Sequence, residues 1–339
     1  MIKIVVDAMG GDNSPVVNVK GAVQALNELK DISLVLVGDE AQLKALLANE
    51  KYDESRLEVL HASEVISCND KPTEAIKNKK DSSMSKAFEV LRTDPEARAM
   101  VSIGSTGALL AGTVLRVGRI RGVKRPAFCP ILPTVVPNKI VSICDGGANV
   151  DCAPLYLQQF AIMGSLYLQK AFGIEKPRVA LLNIGVEEEK GDALTKEAYE
   201  LLKNTPNVNF AGNMEARDLL TGEFDLVVCD GFAGNVLLKT AEGTCIELMR
   251  LIKNKMKSSL KSKIGALLVK SKLYEIKDLM DYNNYGGAVL LGASKTVVKG
   301  HGSSNEAAIY NCIKQAYTME KNELVTAIAN EIRLVGEGN

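Results

Sequence analysis

A chain of 339 residues that is 46% hydrophobic and 24% charged has the material for one large or two ordinary soluble domains. Its formal net charge is zero, Trp is absent and aromatics make up 5%, which argues against a nucleic-acid-binding field and against base-stacking platforms. No run of 18 apolar residues is available to span a bilayer.

The first strand is expected at "IKIVVDA" (2–8), opening the chain at once with no signal peptide. It runs out into "DAMGGDNSP", where Pro15 suits a first helical turn and Asn13 or Ser14 is a candidate cap. The segment lacks the G-x-G-x-x-G spacing of dinucleotide sites and the Gly-Lys-Ser/Thr of a P-loop. Two readings stay open: backbone N–H groups aimed at a small anion, or a plain tight turn. Helices at 16–30 and 40–49 flank a strand "ISLVLVGD" (32–39); "RLEVLHA" (56–62) follows, then a helix at 84–92, "AMVSIGS" (99–105) and a helix at 108–117. "PAFCPILPT", with three prolines, reads as an edge strand or a rigid crossover. Beyond it come "KIVSICDGG" (139–147), a helix at 154–172, "RVALLNIG" (178–185), a helix at 192–203, "VNFAGN" (208–213), "DLVVCDGF" (225–232) and a helix at 233–260. Strands alternating with helices predict an α/β fold built on a parallel sheet. No repeat or linker marks a boundary, so 1–339 is expected to be a single α/β catalytic unit. The seven cysteines (68, 129, 144, 152, 229, 245, 312) are scattered, odd in number and free of C-x-x-C pairs, as in the reduced thiol set of a cytoplasmic protein.

Six strands end in glycine beside a small polar or charged residue: "DAMGGD", "VGDE", "IGSTGA", "CDGGAN", "NIGVEEEKGD" and "CDGFAGN". In one parallel sheet these ends share one edge, where α/β proteins bind ligands. "VGDE" alone is ordinary helix capping; the others together predict a polar crevice. In "SIGSTGALLAGT" the glycines Gly104 and Gly107 let the backbone turn beside the hydroxyls of Ser105 and Thr106, which suits an anion or simply a capped helix. "CDGGANVDCAP" places Asp145, Gly146, Gly147, Asn149 and Asp151 before a helix opened by Pro154, and "CDGFAGN" adds Asp230, Gly231, Gly234 and Asn235. Lys190, in "EEEKGD", puts an ammonium near the strand edge.

There are two histidines. His61, among apolar residues, reads as structural. His301 lies between glycines in "VVKGHGSSNEAAI", with little packing reason to be there, and reads as a donor to an oxyanion or a proton carrier. A capping box of Ser303 and Glu306 is expected to start the next helix. Asp7, Asp12, Asp145 and Asp230 can in principle hold Mg²⁺, but orienting lysines and capping helices is the favoured reading, with no metal or cofactor. Without a nucleophile elbow or a nucleophile–base pair, direct displacement between two positioned substrates is the simpler chemistry.

From 253 to 277 the chain carries eight lysines and one acid, Glu275, hence +7 in a protein of net zero. Leu248, Leu251, Ile252 and Met256 enter this segment at helical spacing, and Leu273, Ile276 and Met280 leave it. Between them "IGALLV" (Ile264, Leu267, Leu268 and Val269 among its residues) is flanked by Lys261, Lys263 and Lys270. A helical hairpin at 248–280 with an apolar, lysine-flanked tip is expected to rest on an anionic membrane surface. A tip packed on a neighbouring subunit and an acidic protein partner are the alternatives.

The words "DAMGGD", "GSTGA", "DGGAN", "NIGVEEEKG", "CDGFAGN", "YGGAVLLG" and "GHGSS", in this order from Asp7 to Ser304, closely resemble the PlsX family, the phosphate acyltransferases of bacterial phospholipid synthesis. Val186 stands in "NIGVEEEKG" where the family varies. The resemblance implies a fold akin to isocitrate and isopropylmalate dehydrogenases and to phosphotransacetylase. It implies a cytosolic, membrane-associated homodimer that moves a long acyl group from acyl carrier protein to inorganic phosphate. The acyl phosphate would pass to a membrane glycerol-phosphate acyltransferase. Combined with the glycine-rich turns, it assigns chemistry to Lys190, Asn235 and His301. Phosphate binding falls to Gly10, Gly11, Asp12, Ser105, Thr106, Gly107, Asp145, Gly146, Asn149 and Gly234, with Asp7 and Asp230 as organisers beside Asp12 and Asp145. Rival readings are an acyl-CoA-dependent phosphotransacetylase, a metal-dependent hydroxy-acid dehydrogenase and a non-catalytic membrane scaffold.

Overall fold

The computed structural model describes residues 1–279 and 285–337; Met280, at the end of the expected hairpin, lies outside them. The chain builds two sheets. The first has the order β3–β2–β1–β4–β12–β11–β5, from Leu57–His61, Ile32–Gly38, Ile2–Asp7, Ala97–Ser102, Thr296–Lys299, Ala288–Leu291 and Ala127–Cys129. The second has the order β6–β7–β10–β8–β9, from Ile131–Pro133, Ile140–Cys144, Leu226–Val228, Val179–Asn183 and Phe210–Glu215. Pairs among β1, β2, β3, β4 and β12, and among β7, β8, β9 and β10, are parallel; β11 and β6 run antiparallel to their neighbours.

Parallel strands covered on both faces read as continuous apolar runs, because alternate residues enter different cores. Ile4 and Val6 of β1 pack toward helices α1 (Val16–Glu28) and α11 (Glu306–Lys321). Val5, between them, packs toward α4 (Ser83–Thr93) and α5 (Thr106–Gly112) on the opposite face. In the second sheet Leu181 and Val228 join the core of α6 (Pro154–Phe172), while Val227 and Ile143 meet Leu238 of α8 (Gly231–Met256). The core that includes α1, α11 and α6 runs through both sheets. Helix α6 is buried on most of its circumference; Pro154 opens it and Gly173, at φ 69°, closes it in the left-handed region.

The proline-rich segment serves both purposes read for it. Its residues Ala127–Cys129 form one sheet's edge and Ile131–Pro133 the other's, with Pro130 between them, so the chain crosses from sheet to sheet there. The glycine-rich strand ends therefore do not share one edge. They belong to two sheets whose carboxyl ends face one another.

Other expectations are corrected. Neither Asn13 nor Ser14 caps α1: the Ser14 hydroxyl donates to the Gly10 carbonyl and to Asn18 Oδ1 (2.8 Å). Helix α11 starts from Asn305, whose Oδ1 accepts from the Ala308 N–H, rather than from Ser303. The helix expected at 233–260 stops at Met256, and Ser259 caps a separate helix α9 (Leu260–Leu268). The arm is thus the end of α8, then α9, then α10 (Lys270–Leu279), and its apolar tip is itself a helix rather than a turn. Helix α9 buries none of its residues; Leu267 is 71% and Leu268 80% exposed. Among the described residues, no helix is long and apolar enough to cross a membrane.

Candidate active site

Where the two sets of strand ends face each other, a cleft of about 160 Å³ opens. Its walls are Thr106 at the start of α5, the crossover residues Phe128, Pro130 and Ile131, Gly146 and Gly147 after β7, the α8 residues Asn235, Leu238, Lys239 and Glu242, Gly286 and Gly287 before β11, and Lys299, Gly300 and His301 after β12.

One wall is organised by Asp145. Its buried carboxylate accepts five N–H groups: the backbone of Phe128 (3.0 Å), Gly147 (3.0 Å), Ala148 (3.0 Å) and Asn149 (2.7 Å), and the Asn149 side chain (2.9 Å). Burial pushes this carboxyl up, and the donors of Ala148, Asn149 and Gly147 pull it back. The Asn149 amide also donates to the Pro126 carbonyl (2.7 Å), locking the β7 turn to the crossover. Helix α8 sits directly on this turn. A side chain on Gly234 would bring its Cβ to 2.0 Å from the Asp145 carbonyl oxygen, so only glycine fits. Asp230 caps α8 by accepting from the Ala233 N–H at 2.8 Å. Asn235 is thereby held over the turn, its Nδ2 donating to the Gly146 carbonyl at 3.3 Å.

The opposite wall is organised by Asp7, also buried. It accepts from the Ser102 hydroxyl (2.7 Å), whose oxygen accepts the Gly104 N–H (3.1 Å). Burial pushes the Asp7 carboxyl up against the pull of Ser83 and Ser102. "MGGD" does not line the cleft. A Cβ on Gly10 would stand 2.7 Å from the Gly104 nitrogen and 2.8 Å from Asp7 Oδ2. Gly11, at φ +103°, packs on Ile103, and the Asp12 N–H donates to the Gly302 carbonyl at 2.9 Å. These glycines let three loops nest behind the wall that carries His301. Gly10→Ala is accordingly expected to cost about 2 kcal/mol or more of stability, read as a lowered urea midpoint with an unchanged slope.

Of the residues singled out in the sequence, Thr106, Gly146, Gly147, Asn235 and His301 line the cleft. Ser105 stands one step back, its hydroxyl accepting from the Ala108 N–H at 3.4 Å, and Gly107 packs on Pro72. Gly10, Gly11, Asp12, Asp145, Asn149 and Gly234 support the walls without lining them. Lys190 is exposed on the loop after β8, where its carbonyl accepts from Asn183 Nδ2 (3.1 Å), and it is not among the lining residues. His61 is a structural contact: its Nδ1 accepts from the Glu40 N–H at 3.3 Å.

Two lysines line the cleft, and Lys299 is the more buried of them. Burial lowers it to about 8, with Lys239 adding to the effect, and its Nζ donates to the Gly300 carbonyl. Lys239 lies across from it, paired with Glu242 at 2.7 Å. His301 is pushed below its usual range by partial burial first and by the Lys239 charge second. Its Nδ1 is 2.8 Å from Ser303 Oγ. A cleft with two amines, an imidazole, an amide and a hydroxyl suits a small oxyanion beside a polarised carbonyl.

A profile of the family described as "Fatty acid synthesis protein" matches residues 2–327. The chain is 47% identical over 336 residues to a phosphate acyltransferase of Caldanaerobacter subterraneus subsp. tengcongensis, covering 99% of each chain. It is 46% identical over 338 residues to one of Clostridioides difficile, covering 100% of this chain and 98% of that one. It belongs to the PlsX family of phosphate acyltransferases.

Two solved structures resemble the fold of this phosphate acyltransferase: the EutD phosphotransacetylase from Staphylococcus aureus and a phosphotransacetylase from Streptococcus pyogenes. Each has a TM-score of 0.59 at 16% identity and 94% coverage of both chains, a likeness of fold alone. In this phosphate acyltransferase, thiols near the cleft are poor nucleophiles. Cys144 and Cys229 are buried and pushed well above the usual thiol range, and Cys152 is raised to about 12, in each case chiefly by burial. Lys299 and Lys239 were not evident from the sequence. The one signal was a lysine ending an apolar strand directly before Gly-His-Gly.

Proposed function

We propose that this phosphate acyltransferase moves a long-chain acyl group from the thioester of acyl carrier protein to inorganic phosphate, giving an acyl phosphate for phospholipid synthesis. The observation that carries the reading is the cleft in which Lys299, Thr106, Asn235 and His301 converge from two sheets. Phosphate, held there by the Lys299 ammonium and the Thr106 hydroxyl, attacks the thioester carbonyl. The Asn235 amide and His301 hydrogen-bond the oxyanion that forms. Collapse of that intermediate expels the carrier's thiolate, a good leaving group, so no acyl-enzyme is required. Lys190 sits on the adjoining β8 loop and is assigned a part in receiving the carrier rather than in the chemistry.

Homodimerisation, hand-off to a membrane glycerol-phosphate acyltransferase and peripheral attachment to an anionic membrane from the cytoplasm belong to the same reading. Exposed Val150, Ile184 and Phe232, near the ends of β7, β8 and β10, favour a dimer. The lysine-flanked helix α9 favours the membrane surface. Leu267→Glu with Leu268→Glu is expected to weaken binding to phosphatidylglycerol vesicles at least tenfold, with unchanged circular dichroism; unaltered binding would mean that α9 is not a membrane contact. The enzymatic reading is tested by phosphate-dependent release of free thiol from long-chain acyl carrier protein. Acyl-CoA as the preferred donor, or release without phosphate, contradicts it.

A further inference from the structure

Three hollows of the molecule follow one another along one helix, each neighbouring pair sharing a lining residue. The cleft shares Glu242 with a small apolar pocket lined by Leu132, Leu220 and Cys245. That pocket shares Ile246 with a hollow of about 760 Å³ under the arm, where α8 faces α9 and α10. The residues that α8 contributes are spaced as one face of a helix: Leu238, Glu242, Cys245, Met249, Ile252 and Met256 follow at steps of four, three, four, three and four. All but Glu242 are apolar, and Glu242 is turned to Lys239 in an ion pair. A half-buried apolar stripe of this length on an enzyme's own surface, starting at its active-site cleft, needs an occupant.

We propose that the acyl chain of the substrate lies in this groove, its carbonyl at the cleft and its tail running along α8 to the hollow under the arm. This rests on the acyl-transfer reading of the cleft and adds to it the path of the chain. The dimensions agree. At 1.5 Å per residue Leu238 and Met256 stand about 27 Å apart, and a sixteen-carbon chain, with C–C bonds of about 1.5 Å, reaches no further than about 23 Å. The groove also ends at α9, the element whose exposed Leu267 and Leu268 suit a membrane surface. An acyl product would then leave tail-first into the same apolar phase without crossing water.

The test uses alkylphosphonates, which carry the anionic head and a tail but cannot react. The full-length enzyme is titrated below the micelle concentration with butylphosphonate and hexadecylphosphonate, each in competition with inorganic phosphate. Each buried methylene adds roughly fourfold in affinity, so the long tail is expected to bind at least a hundredfold tighter. Cys245→Trp should remove most of that ratio while leaving butylphosphonate unchanged. In the unmodified chain, hexadecylphosphonate should slow alkylation of Cys245 by N-ethylmaleimide at least tenfold, and butylphosphonate should not; this reading stands even where the tryptophan variant fails to fold. A chain-length ratio untouched by Cys245→Trp, or an unprotected Cys245 with hexadecylphosphonate bound, overturns the groove while the cleft survives. If neither phosphonate competes with phosphate, the cleft reading falls and the groove with it.

Discussion

Lys299→Met is expected to lower phosphate-dependent turnover by at least a hundredfold while leaving the protein as stable as before, or more so. Both halves follow from the buried ammonium. Burial lowers its pKa from 10.5 to about 8, so folding disfavours the charged form. Below pH 8 that penalty is fully present, and it amounts to about 3 kcal/mol at 1.36 kcal/mol per unit. Between pH 8 and 10.5 the unfolded chain binds the proton and the folded chain does not, so the penalty fades and stability rises with pH. Methionine fills similar space without the charge and removes the penalty. Activity runs the other way. A bound phosphate favours the ammonium, so the KM for phosphate should climb above about pH 8 in the natural enzyme, and this limb should vanish in Lys299→Met. Urea melts at pH 7 and pH 9.5, with KM profiles over the same range, check each part. A destabilised variant with normal phosphate dependence would make Lys299 a structural residue.

Asp145→Ala is expected to cost about 4 kcal/mol or more. Removing the carboxylate strands five N–H groups at once, that of Phe128 buried and the other four in a half-buried turn. The loss falls on the junction of β7, the crossover and the first turn of α8, so Gly146, Gly147 and Asn235 move together. Asp145→Asn keeps the shape but turns an amide N–H toward N–H donors, and should recover at most part of the loss. Activity should fall with stability in both variants, unlike Lys299→Met. A urea midpoint within experimental error of the natural enzyme would show that the turn does not depend on this carboxylate.

The frame was legible where strands are buried on both faces. Val5, Val35 and Val37 fall in one core and Ile4, Val6 and Leu36 in another, so β1 and β2 read as unbroken apolar runs. Strands β11 and β12 were not evident, because four residues each carry too little pattern to stand out. Missing them concealed Lys299. In sequence it is a lysine at a strand's end, the usual mark of a solvated terminus. Only the topology, which inserts β12 between β4 and β11 in the middle of the first sheet, buries it beside the cleft. The glycine motifs were visible as a set, but their division between walls was not. Gly10 and Gly234 leave room for a carboxylate, a backbone or a helix rather than for a ligand. A glycine's need for close approach does not name what approaches. Lys190 shows the converse: a charged residue at a strand edge in sequence, yet on an exposed loop in the fold.

Diffraction from crystals soaked in arsenate, a phosphate analogue located by its anomalous scattering, shows where the oxyanion binds. The arsenate peak is expected in the cleft between the sheets, within hydrogen-bonding distance of Lys299 Nζ and the Thr106 hydroxyl. A peak beside Lys190, or bound arsenate with none of it in the 160 Å³ cleft, would overturn this assignment.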